Sequence, residues 1–227
     1  MTSEDVIRLA RAESDISLLA FSGKDSLGCY IAIRDVFETL RIYHMYLIPG
    51  LEFVEESLDY YERIFGCHIE RLPHPSLYRM LNNGVFQLPD RLPIIANQNL
   101  PSFSYDDLDR VMREQYDCMD AYCATGVRQN DSLQRRISIK THGPINHKRK
   151  TYFPIFDWDK GRLLSEIKKS GIKLGQEYSF MRYSFDGIQA RYLIPIKKER
   201  PRDYARILEW FPLAEMEVFR HERQQLR

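Results

Sequence analysis

The stretch "LLAFSGKDSLGCYIAIRDVF", residues 18–37, decides the fold. It sets an apolar run against the small, polar or charged residues Ser22, Gly23, Lys24, Asp25 and Ser26, and then returns to apolar positions at nearly helical spacing. A short buried strand over 16–20 leading into a helix satisfies that pattern, because a run of five apolar-rich residues suits a strand and a spacing of three to four suits a helix. Outward from it, "IYHMYLI" (42–48) reads as a second strand broken by Pro49-Gly50. "EFVEESLDYYERIFG" reads as a helix stopped by Gly66, and "CHIERL" as a third strand. Two strand-helix units feeding a third strand call for right-handed crossovers and a mainly parallel sheet with helices on its faces.

The rest of the chain is less regular. Residues 73–103 hold five prolines and Asn82-Asn83-Gly84, which reads as an irregular excursion with one short helix near 75–82. Ser104 is an expected N-cap for the helix in "SYDDLDRVMREQYDCM", and "DAYCATGV" reads as another strand, followed by the charged loop "RQNDSLQRR". A helix is expected over 159–170 with Gly171 at its end, and a helical tail from Arg202, interrupted at Pro212.

The chain has 227 residues, 44% hydrophobic and 29% charged, with a formal net charge of +1. That composition is globular, and near-neutral charge confines any polyanion site to a local patch. No run approaches the apolar length of a membrane span, the charged "MTSEDVIRLARAESD" has no secretory apolar core, and four scattered cysteines suit a reducing compartment, so a cytoplasmic protein without a membrane partner is expected.

Beyond a strand end in a parallel sheet, helix N-termini offer unpaired N–H groups to anions. Ser22–Ser26 stand at such an address. Two hydroxyls and the Lys24 point charge suit phosphate, and Asp25 suits the helix dipole or a magnesium ion. The same residues also make an ordinary helix cap with a solvated lysine, and the spacing is not that of a Walker loop. "TGVRQNDSLQRR" (125–136) is a second such loop, where Arg128, Arg135 and Arg136 offer guanidinium forks and Ser132 a hydroxyl.

"LLAFSGKDS" resembles the PP-loop S-G-G-x-D-S of the ATP pyrophosphatase superfamily, and "GVRQNDSLQR" is similar to the G-x-R-x-x-[DE]-S-x-x-R motif of its phosphoadenosine phosphosulfate reductase branch. "YFPIFDW" (152–158) with "KKSGI", and "PGLEFVEES" (49–57), resemble further landmarks of that branch. The resemblance implies a three-layer α/β fold around a mainly parallel twisted sheet. It implies a PP-loop nucleotide-binding domain over residues 1–200 with a helical tail, 201–227, packed on it. It also implies that Ser22, Gly23, Lys24, Asp25, Ser26, Gly126, Arg128, Ser132, Arg135 and Arg136 bind ATP or a related adenine nucleotide. Lys24, Asp25 and Arg128 are then the catalytic candidates and Asp25 the magnesium ligand. Short chains of this kind are common in bacteriophage genomes, which would place the protein in a host cytoplasm.

Three differences from the branch bear on the reaction. The loop is one residue shorter than S-G-G-x-D-S, Ile48-Pro49-Gly50 replaces an Asp-Thr-Gly, and no cysteine follows Cys123, so the C-terminal thiol of a sulfonucleotide reductase is missing. The expected chemistry is cleavage between the α and β phosphates of ATP, with adenylyl or sulfur-related transfer to an acceptor. The alternative is a non-catalytic nucleotide or nucleic-acid binding module. Residues 135–153 interleave Lys, Arg and His with Ile, Tyr and Phe, which suits either a nucleic-acid acceptor or a solvated hairpin. Cys118, Cys123, His142 and His147 invite a zinc reading, but the long spacer contains the arginine loop, so buried thiols and loop histidines are expected instead, and no iron-sulfur cluster. Oligomeric state is open, a homodimer included.

Overall fold

A computed structural model describes residues 1–225 of the chain. In chain order the first elements are α1 (Ser3–Glu13), β1 (Ile16–Ala20), α2 (Lys24–Ile33), β2 (Thr39–Tyr46), α3 (Glu52–Phe65) and β3 (Ile69–Pro73). Next come α4 (Pro75–Asn82), α5 (Leu92–Asn97), α6 (Tyr105–Gln115), β4 (Tyr122–Ala124) and α7 (Leu133–His142). A hairpin of β5 (Ile145–Asn146) and β6 (Thr151–Tyr152) leads to α8 (Lys160–Ser170), α9 (Glu177–Phe180), α10 (Ala190–Glu199), α11 (Pro201–Trp210) and α12 (Glu215–Gln225).

By packing, the described residues fall into two compact units that interleave in sequence. The first takes Met1–Met45, Glu62–Leu72 and Ser104–Leu174; the second takes Tyr46–Tyr61, Pro73–Phe103 and the chain from Gly175. This is a different cut of the chain from the sequence-based boundary at residue 201, and residues 226 and 227 of the expected tail lie outside the described residues.

Among the described residues the sheet has six strands in the order β3-β2-β1-β4-β6-β5. β1 runs parallel to β2 and to β4, β4 runs parallel to β6, and β5 closes the edge antiparallel to β6. With helices on both faces this is the expected three-layer α/β architecture. Alternation along β1 sends Leu18 to one face, where it packs with Tyr43, Cys123 and Met112 of α6. Ser17 points to the other face, where its hydroxyl meets the Tyr152 hydroxyl at 2.8 Å.

Pairing with β1 from Ile16↔Thr39 explains why β2 begins earlier, and ends earlier, than its apolar run suggests. On the α6 face the Tyr43 hydroxyl donates to Asp109 at 2.6 Å. Burial raises the Asp109 carboxyl above its usual range, while the Tyr43 bond opposes that rise.

Local signals end the helices as their residues dictate. Ser104 caps α6 and Asp159 caps α8, each side chain accepting the N–H three residues on, while Gly66 and Gly171 follow α3 and α8 at positive φ. The arginine loop is shorter than expected: Ser132 accepts the Arg135 N–H at 3.1 Å and caps α7, so residues 133–142 are helical. Of that helix Ile139 alone is buried, which is why no amphipathic stripe announces it.

The second unit is built on apolar residues from α3, α4, α10, α11 and α12, including Phe53, Leu77, Leu193, Ile207 and Val218. It also buries two carboxylates. Asp203 accepts the Glu52 and Phe53 N–H groups at 2.5 and 3.3 Å, and so caps α3 from α11. Among the described residues no cation pairs with Glu177: Ser57 Oγ approaches it at 3.4 Å but sits nearer the Phe53 carbonyl, at 2.7 Å.

Burial pushes the Glu177 carboxyl up to about 7. The folded chain therefore holds this proton more tightly than the unfolded chain. The group's contribution is complete below about 4.5 and is lost as pH rises through about 7. Glu177→Gln is expected to be more stable than the wild-type chain at pH 8, by up to about 3 kcal/mol, and about equal at pH 4. Urea unfolding at the two pH values measures the difference.

Candidate functional site

Strand order fixes where a ligand can enter. From β1 the chain winds outward through β2 and β3, whereas β4 and β6 lie on the other side of β1. The point where the winding reverses therefore falls between β1 and β4, and in an open parallel sheet the crevice beyond the C-terminal ends of two such strands receives ligands. Loop 22–26 leaves the end of β1 and the segment from Gly126 leaves the end of β4.

The two loops touch. A Cβ on Gly126 would lie 2.8 Å from the Asp25 carbonyl carbon and 3.0 Å from the Ser26 nitrogen, so this glycine is required by space. Arg128, buried at 6% exposure, crosses between the loops. Its Nε lies 2.9 Å from Asp25 Oδ1 and its Nη2 lies 2.7 Å from Asp131 Oδ1. The Nε–Oδ1 approach is a charge contact without hydrogen-bond alignment, for both atoms are sealed from solvent and neither makes a directed bond.

Lys24 Nζ meets the other Asp25 oxygen at 2.6 Å, and Arg135 Nη1 meets Asp131 Oδ2 at 2.7 Å. Within the first loop, Ser26 Oγ accepts the Ser22 and Gly23 N–H groups at 2.8 and 2.9 Å and donates to the Gly23 carbonyl at 2.7 Å. A serine on the first turn of α2 thus folds the loop back onto its own helix.

The structure joins Asp25 and Ser26 to Gly126 and Arg128, with Lys24 and Arg135 each one carboxylate further out, so the candidate residues are not in equal positions. Lys24 is 28% exposed at its side chain, Arg135 is 50% exposed, and Arg136 and Ser132 lie at the surface. These can face a solute. Arg128 is inside the junction and acts as a tie between the loops, so direct contact with a ligand is not the role its position supports. Both Asp25 oxygens face cations, and among the described residues no group of three or more His, Cys, Asp or Glu side chains could hold a metal. The residues present do not fit a resident magnesium ion at Asp25.

Two contributors escaped the sequence reading. Asp131 joins Arg128 to Arg135 and also accepts the Arg128 backbone N–H at 3.1 Å. His44, on β2, bonds through Nδ1 to the Phe21 carbonyl at 2.9 Å and so fixes the residue immediately before Ser22. A carbonyl only accepts, which makes Nδ1 the protonated ring nitrogen. The His44 contact has no sequence signal because it is made between strand neighbours distant in sequence, whereas Asp131 stands at the [DE] position of the motif, three and four residues from its partners.

The remaining candidates are placed elsewhere. Cys118 and Cys123 pack with Leu18 and Met112, whereas His147 bonds to the Tyr122 hydroxyl at 2.7 Å, so the zinc quartet is not assembled. Burial is the largest influence on all four thiols and pushes each of them up, away from thiolate chemistry. In 135–153, now α7 and the β5–β6 hairpin, Arg149 pairs with Asp106 and Lys150 with Asp120. Arg136 and Lys140 stay on the exposed face of α7.

No family model matches the sequence, and no curated protein does. Among solved structures the chain is similar to a phosphoadenylyl-sulfate reductase from Candida auris in complex with phosphate, at 12% identity and TM-score 0.49, over 82% of this chain and 88% of that one. It is similar to the U34-tRNA thiolase NcsA from Methanococcus maripaludis, with its 4Fe-4S cluster, at 13% identity and TM-score 0.45, over 93% and 78%. A third is the NH3-dependent NAD synthetase from Campylobacter jejuni in complex with nitrate, at 10% identity and TM-score 0.47, over 96% and 92%. Likeness at this level lends no residue, ligand or reaction to this chain.

Proposed function

We propose that the chain binds the polyphosphate of ATP or a related adenine nucleotide between loops 22–26 and 126–136 and cleaves ATP between its α and β phosphates. The observation that carries this reading is the contact of Gly126 with Asp25 and Ser26, which brings two cation-bearing helix starts to the reversal point of a parallel sheet. The motifs resembling a PP-loop and its arginine partner fall on those two loops.

In this reading Lys24, Arg135 and Arg136 face the phosphates, and the N-termini of α2 and α7 add partial positive charge. Arg128, Asp25 and Asp131 keep the loops in register. A nucleophilic atom of the acceptor attacks the α phosphorus, the bond to the bridging oxygen of the β phosphate breaks, and pyrophosphate leaves with the charge the cations have held. Magnesium enters with ATP as part of the substrate. With water as acceptor the products are AMP and pyrophosphate, and the proton passes to solvent. Burial pushes up all four thiols present, which supports adenylyl transfer over a thiolate-driven reduction by them. A nucleic acid lying along the exposed Arg136 and Lys140 of α7 is the acceptor class that the surface supports.

Incubation of ATP labelled at the α phosphate with the full chain and magnesium is expected to yield AMP and pyrophosphate. Lys24→Ala is expected to reduce that rate about 100-fold. Tight ATP binding without turnover, in the presence of single-stranded RNA or DNA as well as in its absence, would favour a non-catalytic nucleotide-binding module.

A further inference from the structure

The groups suited to anions in the two loops are already satisfied by the protein itself. Ser26 takes the Ser22 and Gly23 N–H groups, and Asp25 takes Lys24 and one edge of Arg128. Asp131 does the most: one oxygen faces Arg128 Nη2 at 2.7 Å, and the other faces Arg135 Nη1 at 2.7 Å and the Arg128 N–H at 3.1 Å. Two carboxylate oxygens spread between two guanidinium groups occupy the geometry that two phosphoryl oxygens would take. Three cations, Lys24, Arg128 and Arg135, against the two carboxylates leave a single net positive charge for a far more negative polyphosphate.

The two carboxylates are not equally able to leave. Asp25 is on the first turn of α2 with Oδ1 sealed from solvent. Asp131 lies in the loop ahead of the Ser132 cap, and its partner Arg135 is half exposed on α7. A turn of the Asp131 side chain frees Arg135 while Arg128 stays anchored on Asp25 and the α7 cap remains closed.

We propose that Asp131 is an exchangeable internal anion, displaced from Arg135 when a phosphoryl group of the substrate binds. This rests on the reading that polyphosphate binds between the loops. It predicts an inversion of sign: removal of a carboxylate that only positions Arg135 weakens anion binding, whereas removal of a competing carboxylate strengthens it.

The probe is inorganic pyrophosphate, titrated calorimetrically into the full chain. Asp131→Asn is expected to bind it about five- to tenfold more tightly than the wild-type chain, and Arg135→Gln more weakly. Unchanged or weaker binding by a folded Asp131→Asn protein overturns the exchange and leaves the polyphosphate reading in place. Absence of pyrophosphate binding in both the wild-type chain and Asp131→Asn overturns both. Should circular dichroism show that Asp131→Asn does not fold, a crystal structure of the wild-type chain with pyrophosphate decides. Asp131 is expected beyond about 4 Å from Arg135 with the anion on that guanidinium. Retention of the Asp131–Arg135 contact with pyrophosphate bound overturns the proposal.

Discussion

Replacing Gly126 with alanine is expected to lower stability by about 3 kcal/mol, the upper end of what an inserted methyl costs in a packed interior. It is also expected to weaken adenine-nucleotide binding more than tenfold. The size follows from what the methyl would strike. Its nearest neighbours are the Asp25 carbonyl carbon at 2.8 Å, Asp25 Cβ at 2.9 Å and the Ser26 nitrogen at 3.0 Å, mostly backbone that cannot swing aside as a side-chain end can. Relief requires the start of α2 to move away from β4, which separates the loops.

Gly28 makes a useful comparison, since a methyl there meets the end of the Leu163 side chain, which can rotate away. Gly28→Ala should therefore cost less stability and leave nucleotide affinity near that of the wild-type chain. Urea unfolding with calorimetric titration of ATP separates the two variants. A Gly126→Ala protein as stable as Gly28→Ala would show that the junction is looser than these distances require.

The second large effect concerns Arg128. Its guanidinium is nearly sealed and is balanced by Asp25 on one edge and Asp131 on the other. Arg128→Ala removes the cation that Asp25 and Asp131 share and leaves each with one, Lys24 and Arg135 respectively, and loss of one member of a buried ion pair typically costs about 3–5 kcal/mol. Because Asp25 is 30% and Asp131 18% exposed at the side chain, water recovers part of this, and about 3 kcal/mol is expected. Arg128→Lys recovers little, since one ammonium cannot span two carboxylates at both edges of a planar fork. Urea unfolding of Arg128→Ala and Arg128→Lys beside the wild-type chain measures the loss.

What could be read from the sequence was local, and what could not was tertiary. The strand over 16–20, the cap at Ser104 and the stops at Gly66 and Gly171 follow from residue type and spacing, and all stand where those signals lie. The motifs likewise located both loops. Helix α7 was hidden, because "LQRRISIKTH" buries only Ile139 and is held by the Ser132 cap rather than by an apolar stripe. Strands β5 and β6 are two residues each and exist through pairing with each other and with β4. α10 carries Pro195 within it and was not anticipated.

The division of labour inside the site was hidden for the same reason. Arg128 and Arg135 look alike in sequence, and only the neighbours Asp25, Asp131 and Gly126 make one a buried tie and the other an exposed cation. Likewise the Phe21–His44 bond depends on the register of β1 against β2, in which Ala20 stands beside Tyr43.

The central claim is that the turn after β1 and the turn after β4 serve one polyphosphate. A crystal structure of the chain with ATP tests it most directly. Phosphoryl oxygens are expected within about 3.2 Å of both Lys24 Nζ and the Arg135 guanidinium, with Arg128 still holding Asp25. A triphosphate bound away from these loops, or held by one of them with the other untouched, would contradict the account.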